Sequence, residues 1–169
     1  MTVIIANVID FLASLLQVGS GYIKKKGRIL IVQTIQIFMQ GVSMLILGGV
    51  TGALNNVLSC IRNLLCYKEK LNAYWKAALI AASILMTILF NTQGLLGIIP
   101  AAVCTVYILL MDTKDPIKFK LLVTLSFAPW VVYHIAIKAY VAAIFNVVTI
   151  ITNAVTLFAM IKEKRKQSA

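Results

Sequence analysis

Long apolar runs broken by short polar interruptions set the pattern of this chain. The runs are Val3 to Ile23, Ile29 to Gly49, Val50 to Tyr67, Ala73 to Phe90, Gly94 to Met111, Leu121 to Ile137 and Tyr140 to Ile161. Each approaches the roughly 17 to 25 residues with which a helix crosses a hydrocarbon layer of about 30 Å, where only helices and closed barrels satisfy every backbone group. No strand-like alternation competes with them. The pattern predicts an all-α membrane protein of seven transmembrane helices. Ile29 to Tyr67 is nearly continuous, marked only by Gly48, Gly49, Thr51 and Gly52. As one helix it would extend about 58 Å at 1.5 Å per residue, roughly twice the hydrocarbon thickness, so a tight turn near Gly49 divides it. Asn91, Thr92, Gln93 and Gly94 predict a second short turn.

Composition narrows the class further. The chain is 61% apolar and 12% charged, where a soluble domain carries about a quarter charged residues. A formal charge of +11 would suit nucleic acid, but the basic residues are not gathered on one face. They form clusters between the runs: Lys24, Lys25, Lys26 and Arg28; Lys68, Lys70 and Lys76; Lys114, Lys118 and Lys120; Lys162, Lys164, Arg165 and Lys166. Alternate loops and the C-terminal tail thereby hold 14 of the 16 basic residues. Basic loops remain cytoplasmic, so we expect the N-terminus outside, the C-terminus inside, and no nucleic-acid partner. The exceptions are Lys138, in the one basic external loop, and Arg62, inside the third helix. Tyr22, Tyr67, Tyr74 and Trp75 fall at cytoplasmic boundaries, where amphipathic rings are favoured. The first run lacks a preceding basic region and is followed by KKKGR, the reverse of a cleaved signal, so it reads as a retained helix. Cys60, Cys66 and Cys104 have neither disulfide nor metal spacing and read as packing residues.

A shift of 90 residues lays helix three over helix seven without a gap. Ala53, Asn56, Val57, Ile61 and Asn63 meet Ala143, Asn146, Val147, Ile151 and Asn153, and Ser59 meets Thr149. Thr34 likewise meets Thr124, and Val42 meets Val132. The predicted architecture is three plus one plus three: a first bundle over 1–67, a linker helix with its loops over 68–93, a second bundle over 94–161, and a basic tail over 162–169. One extra crossing makes the second three-helix unit parallel to the first, a known transporter plan.

The stretch TGALNNVLSCIRNLLCYK, Thr51 to Lys68, resembles the bacterial inner-membrane YgjV family, and the paired bundles resemble the SWEET/SemiSWEET superfamily. That resemblance implies a bacterial inner-membrane location and a central substrate pocket faced by an Asn from the third helix of each bundle, here Asn56 and Asn146. The chain departs from the SWEET pattern of gating prolines, with only Pro100 and Pro129 inside predicted helices.

Asn56, Ser59 and Asn63, and likewise Asn146, Thr149 and Asn153, recur at i, i+3 and i+7 and form one polar stripe on each helix. The stripes either line a shared cavity for a polar solute or join helices by hydrogen bonds worth about 0.6 kcal/mol each. Asp10 and Arg62 are ionisable groups within spans, either an ion pair or a proton-coupling or substrate-charge device. Gln33, Gln36, Gln40 and Ser43 share a face of helix two, as pathway lining or as packing. Pro129, Trp130, Tyr133 and His134 cluster in helix six, with His134 either a proton relay or an interhelical contact. No catalytic constellation or cofactor motif is present, so the chain is not expected to be an enzyme or to use a cofactor. The leading expectation is a small-solute transporter working by alternating access, with the lipid bilayer and a small polar solute as partners. The rival is a structural or interaction protein whose polar residues are helix contacts. Neither reading excludes a homo-oligomer.

Overall fold

The computed structural model describes residues 2–46, 50–91, 94–136 and 140–168. The helices are α1 (Thr2–Ser20), α2 (Lys26–Ile46), α3 (Val50–Tyr67), α4 (Ala73–Phe90), α5 (Ile98–Leu110, entered through a 3-10 turn, Gly94–Gly97), α6 (Pro116–Ala136) and α7 (Tyr140–Ser168). The described residues contain seven α-helices and no strand. The predicted turn at Gly48 and Gly49, the residues Thr92 and Gln93, and Lys138 lie outside the described residues.

Capping explains where helices begin. Asn72 accepts a hydrogen bond from the Trp75 N–H and starts α4 at Ala73. Asp115 accepts from the N–H groups of Ile117 and Lys118, and Pro116 occupies the first helical position, where its missing N–H costs nothing. Helix α6 therefore starts five residues before the apolar run at Leu121. Helix α7 continues past Ile161 for two basic turns, with the side chains from Lys162 to Lys166 exposed. Hydropathy marks the apolar length of a helix, whereas caps and charged turns lie beyond it.

The distribution of polarity is inverted relative to a soluble protein. Ile4, Val8, Phe11, Leu12, Ile84, Leu85, Ile88 and Leu89 face outward, while Gln17, Gln33, Gln36, Arg62, Asn63, Asn146 and Asn153 are buried. Three helices, Lys26–Ile46, Ala73–Phe90 and Val141–Lys166, are long and apolar enough to cross a membrane, and the apolar segments in α1 and α5 are shorter. Tyr22, Tyr67, Tyr74 and Trp75 are exposed at the lysine-rich ends.

Neighbour relations form a closed cycle. Helix α2 packs against α1 and α3, α6 against α5 and α7, α7 against α1, and α3 touches α5. Helix α4 covers the α3 and α5 side, and α2 meets α6 across the interior. At the lysine-rich end the interior is filled by Ile29, Leu30, Ile108, Met111, Phe119 and Val123, all essentially without exposure.

Two lysines fasten this plug. Lys120 is completely buried rather than in a loop, and its Nζ donates to the carbonyls of Ser20 (3.2 Å), Gly21 (2.6 Å) and Ile23 (3.1 Å). A helix leaves its last carbonyls without intrahelical donors, and an ammonium there also complements the helix dipole. Lys26 donates to the Thr113 carbonyl at 2.8 Å and lies over the Phe119 ring. Ile23 and Thr113 are themselves 90 positions apart, so each half of the chain sends a lysine to the equivalent carbonyl of the other. Around this end Lys24 pairs with Glu163, Lys76 with Asp112 and Lys164 with Asp115.

Lys120→Met should lower stability by about 3 kcal/mol, because it leaves buried carbonyls unsatisfied; unfolding in mixed micelles at wild-type stability would show that the lysine is dispensable. A second expectation concerns pH. The hydrogen bond from Lys76 holds the Asp112 carboxyl below its ordinary value of 3.8. Its contribution is complete above that value and is lost as pH falls through the lower folded one. Between pH 6 and pH 3 the melting temperature of Lys76→Met should therefore drop less than that of the wild type.

Candidate functional site

The interior between the plug and the opposite helix ends holds a cavity of about 100 Å³. Its wall on α2 is Gln33, Gln36, Ile37, Gln40 and Met44, one face of a helix by their spacing. Gln33 and Met44 lie about 16 Å apart along the axis at 1.5 Å per residue. Met44 and His134 stand two residues from the ends of α2 and α6, so the cavity reaches the side away from the lysines. Six pairs of positions 90 apart line it together: Gln17 and Tyr107, Gln36 and Ser126, Ile37 and Phe127, Gln40 and Trp130, Met44 and His134, Asn56 and Asn146.

Gln17 organises one wall. Its Nε2 donates to Asn146 Oδ1 (2.6 Å) and Thr149 Oγ1 (3.2 Å), and its Oε1 accepts from Gln36 (3.2 Å) and Gln40 (3.4 Å). Gln36 also donates to Gln40 Oε1 at 2.6 Å. Because Asn146 uses its oxygen towards Gln17, its amide nitrogen faces His134 Nδ1 at 2.8 Å. An amide nitrogen only donates, so Nδ1 accepts and the imidazole is neutral with its hydrogen on Nε2. The His134 ring stacks on Trp130, with ring centroids 5.7 Å apart. In the other half the equivalent pair also touches, Asn56 Nδ2 approaching Met44 Sδ at 3.6 Å.

Arg62 brings the cationic group. Its side chain is buried, with the guanidinium 4.4 Å from the Tyr107 ring centroid. Nε and Nη2 donate to Asn63 Oδ1 at 3.2 and 3.0 Å, and Nη1 donates to Cys104 Sγ at 3.8 Å. Tyr107 in turn donates its hydroxyl to Gln33 Oε1 at 3.2 Å.

Of the residues singled out from sequence, Asn56, Ser59, Arg62, Trp130, His134 and Asn146 line the cavity. Thr149 lies behind it, held by Gln17, and Tyr133 packs edge-on against Trp130. Asn63 and Asn153 are completely buried one step towards the plug, and Asn63 Nδ2 and both amide atoms of Asn153 find no protein partner. Gln33, Gln36 and Gln40 face the cavity, whereas Ser43 turns to the Ala6 carbonyl of α1. The Asp10–Arg62 ion pair is absent among the described residues. Its reason is neighbour order: α1 and α3 each pack on α2, and matching depth does not make them adjacent. The cysteines are unpaired packing residues, with Cys66 and Cys60 directed to the Met111 and Thr34 carbonyls.

Gln17 and Tyr107 escaped the sequence reading. Their signal was available, since Gln17 is the lone glutamine in the apolar run of α1 and the 90-residue shift lays it on Tyr107. Gln17→Leu should cost about 2 kcal/mol, more than the ~0.6 of an average interhelical contact, because four partners lose their bond at once. A chemical unfolding curve in mixed micelles checks this, and a loss near 0.6 would demote Gln17 from hub to single contact.

No curated protein and no solved structure matches the chain. A family model described as a bacterial inner membrane protein, Imp-YgjV, matches residues 4–164. The inverted surface, the apolar helices and this match over nearly the whole sequence place the chain in the Imp-YgjV family of bacterial inner membrane proteins.

Proposed function

We propose that this protein carries a small polar solute across the inner membrane by alternating access, without chemical change to the solute. The observation that carries the reading is that six pairs of positions 90 residues apart line one cavity. Two halves that contribute equivalent positions to a shared interior resemble the SWEET-like three-plus-one-plus-three plan, with α4 as the linker that makes the halves parallel. In this reading all seven helices span the bilayer, the N-terminus is outside, and the lysine-rich end is cytoplasmic.

Two further observations support two states over a static scaffold. The polar stripes do not stop where the cavity stops: Asn63 and Asn153 continue them, buried and short of partners, towards the plug. A buried amide without a partner costs about 1–3 kcal/mol, a cost that a state open at the lysine-rich end would relieve by hydration. The plug is fastened by reversible contacts, the reciprocal bonds of Lys26 and Lys120. Opposing this, the mutually satisfied amides around Gln17 favour the rival reading, in which polar side chains only join helices.

The test requires no knowledge of the solute. In a chain with Cys60, Cys66 and Cys104 replaced by Ala, single cysteines at Gln40 and Asn63 are labelled with a membrane-impermeant thiol reagent from either side of the membrane. Alternating access expects Gln40→Cys to label from outside and Asn63→Cys from the cytoplasm. A scaffold protects both, and labelling of both from one side would indicate a static pore or crevice. The central pocket role further expects Asn56→Ala with Asn146→Ala to reduce uptake of the solute at least tenfold at equal protein levels.

A further inference from the structure

The geometry points to a solute with an anionic group, a carboxylate or phosphate, gripped by Arg62 in the central cavity; this rests on the carrier reading above. Arg62 is a buried guanidinium at the cavity wall with no carboxylate in contact among the described residues. Burying an uncompensated charge is costly, and a protein that keeps one in a membrane-embedded cavity gives it a partner from elsewhere. None of the side chains lining the cavity is Asp or Glu.

The rest of the wall reinforces the sign. Guanidinium has five N–H donors, and the bonds to Asn63 and Cys104 use three of them. Two donors on the terminal nitrogens remain, a number that suits the paired oxygens of a carboxylate or phosphate. The Tyr107 ring under the guanidinium and the Asn63 oxygen beside it fix its plane, so little freedom is lost when an anion docks. Neutral donors line the rest of the cavity, including the His134 Nε2–H implied by the Asn146 contact. Arginine recurs only once in the two halves at this position, since Thr152 stands where Arg62 would repeat. The site therefore takes one anionic group, on the α3 side.

The experiment uses the cavity's own reporter. Of the two tryptophans, Trp75 is exposed at the lysine-rich end and Trp130 lines the cavity, so Trp75→Phe leaves a single cavity fluorophore. In lipid-free detergent, where no phospholipid headgroup supplies an anion, Trp130 emission is titrated with lactate, succinate and inorganic phosphate, and with neutral lactamide, succinamide and glycerol. The inference expects a saturable change with at least one anion, at least tenfold weaker binding of its neutral counterpart, and at least tenfold weaker anion binding in Arg62→Gln with partial retention in Arg62→Lys. Neutral solutes that bind as tightly as the anions overturn it and leave the carrier reading standing. A wild-type response to none of the anions overturns it too, and the cysteine labelling pattern then decides separately whether the carrier reading falls. The comparison of anion with amide is made within the Trp75→Phe chain, so it holds even where Arg62→Gln fails to fold.

Discussion

Hydrocarbon satisfies no hydrogen bond, and that constraint organises the molecule. With the outer surface given over to Ile, Leu, Val and Phe, every amide, hydroxyl and charge within the spans has to find its partner inside the helix ring or reach a helix end. Lys120 illustrates the rule most directly. An ammonium with no exposure is tolerated because three carbonyls at the end of α1 accept from it, and two of them, those of Gly21 and Ile23, lie past the helix, where no intrahelical donor reaches. The same contact ties the first half of the chain to the second and shuts the interior at the lysine-rich end.

The constraint separates two kinds of buried polar residue. Gln17 spends its whole amide capacity on its neighbours, which is what helix joining requires. At Arg62, Asn63 and Asn153 saturation is incomplete. Unmet donors and acceptors cost more than neutral interhelical bonds return, so packing alone gives no reason to keep them. They follow one another along the polar faces of α3 and α7, Arg62 at the cavity wall and the two asparagines one step towards the plug.

Much of the fold was legible because the bilayer imposes a simple code. Apolar runs gave the helices, and Ala73–Phe90 was read to the residue because its apolar run begins where Asn72 caps the helix. Where the code is silent the reading failed in understandable ways. Counting basic residues treats Lys120 as a loop residue, since it cannot distinguish an ammonium in water from one on helix carbonyls. Depth along a helix suggested the Asp10–Arg62 pair, but depth carries no information about which helices are neighbours. The start of α6 at Pro116 lay in the sequence as Asp115–Pro116, hidden behind a hydropathy criterion that ignores caps. The stripe residues Asn56 and Asn146 were found because they repeat, and Gln17 was missed because its partner in the repeat is Tyr107.

That last pair exposes how the two halves divide their work. Positions 90 apart share backbone roles: Thr34 and Thr124 each donate to the carbonyl four residues back, and Asn56 and Asn146 each contact the equivalent position of the preceding helix. The chemistry enters where the residues differ. Met44 is replaced by His134, Gln40 by Trp130, Gln17 by Tyr107, and Arg62 by Thr152. The unlike side chains make the cavity uneven: a guanidinium over its tyrosine ring at one place on the wall, and an imidazole stacked on indole at another. A perfectly symmetric cavity would present a solute with two identical, competing poses. On the proposal made above, the guanidinium on one wall would give a charged solute a single pose, while positions 90 residues apart line the cavity together without dictating its recognition.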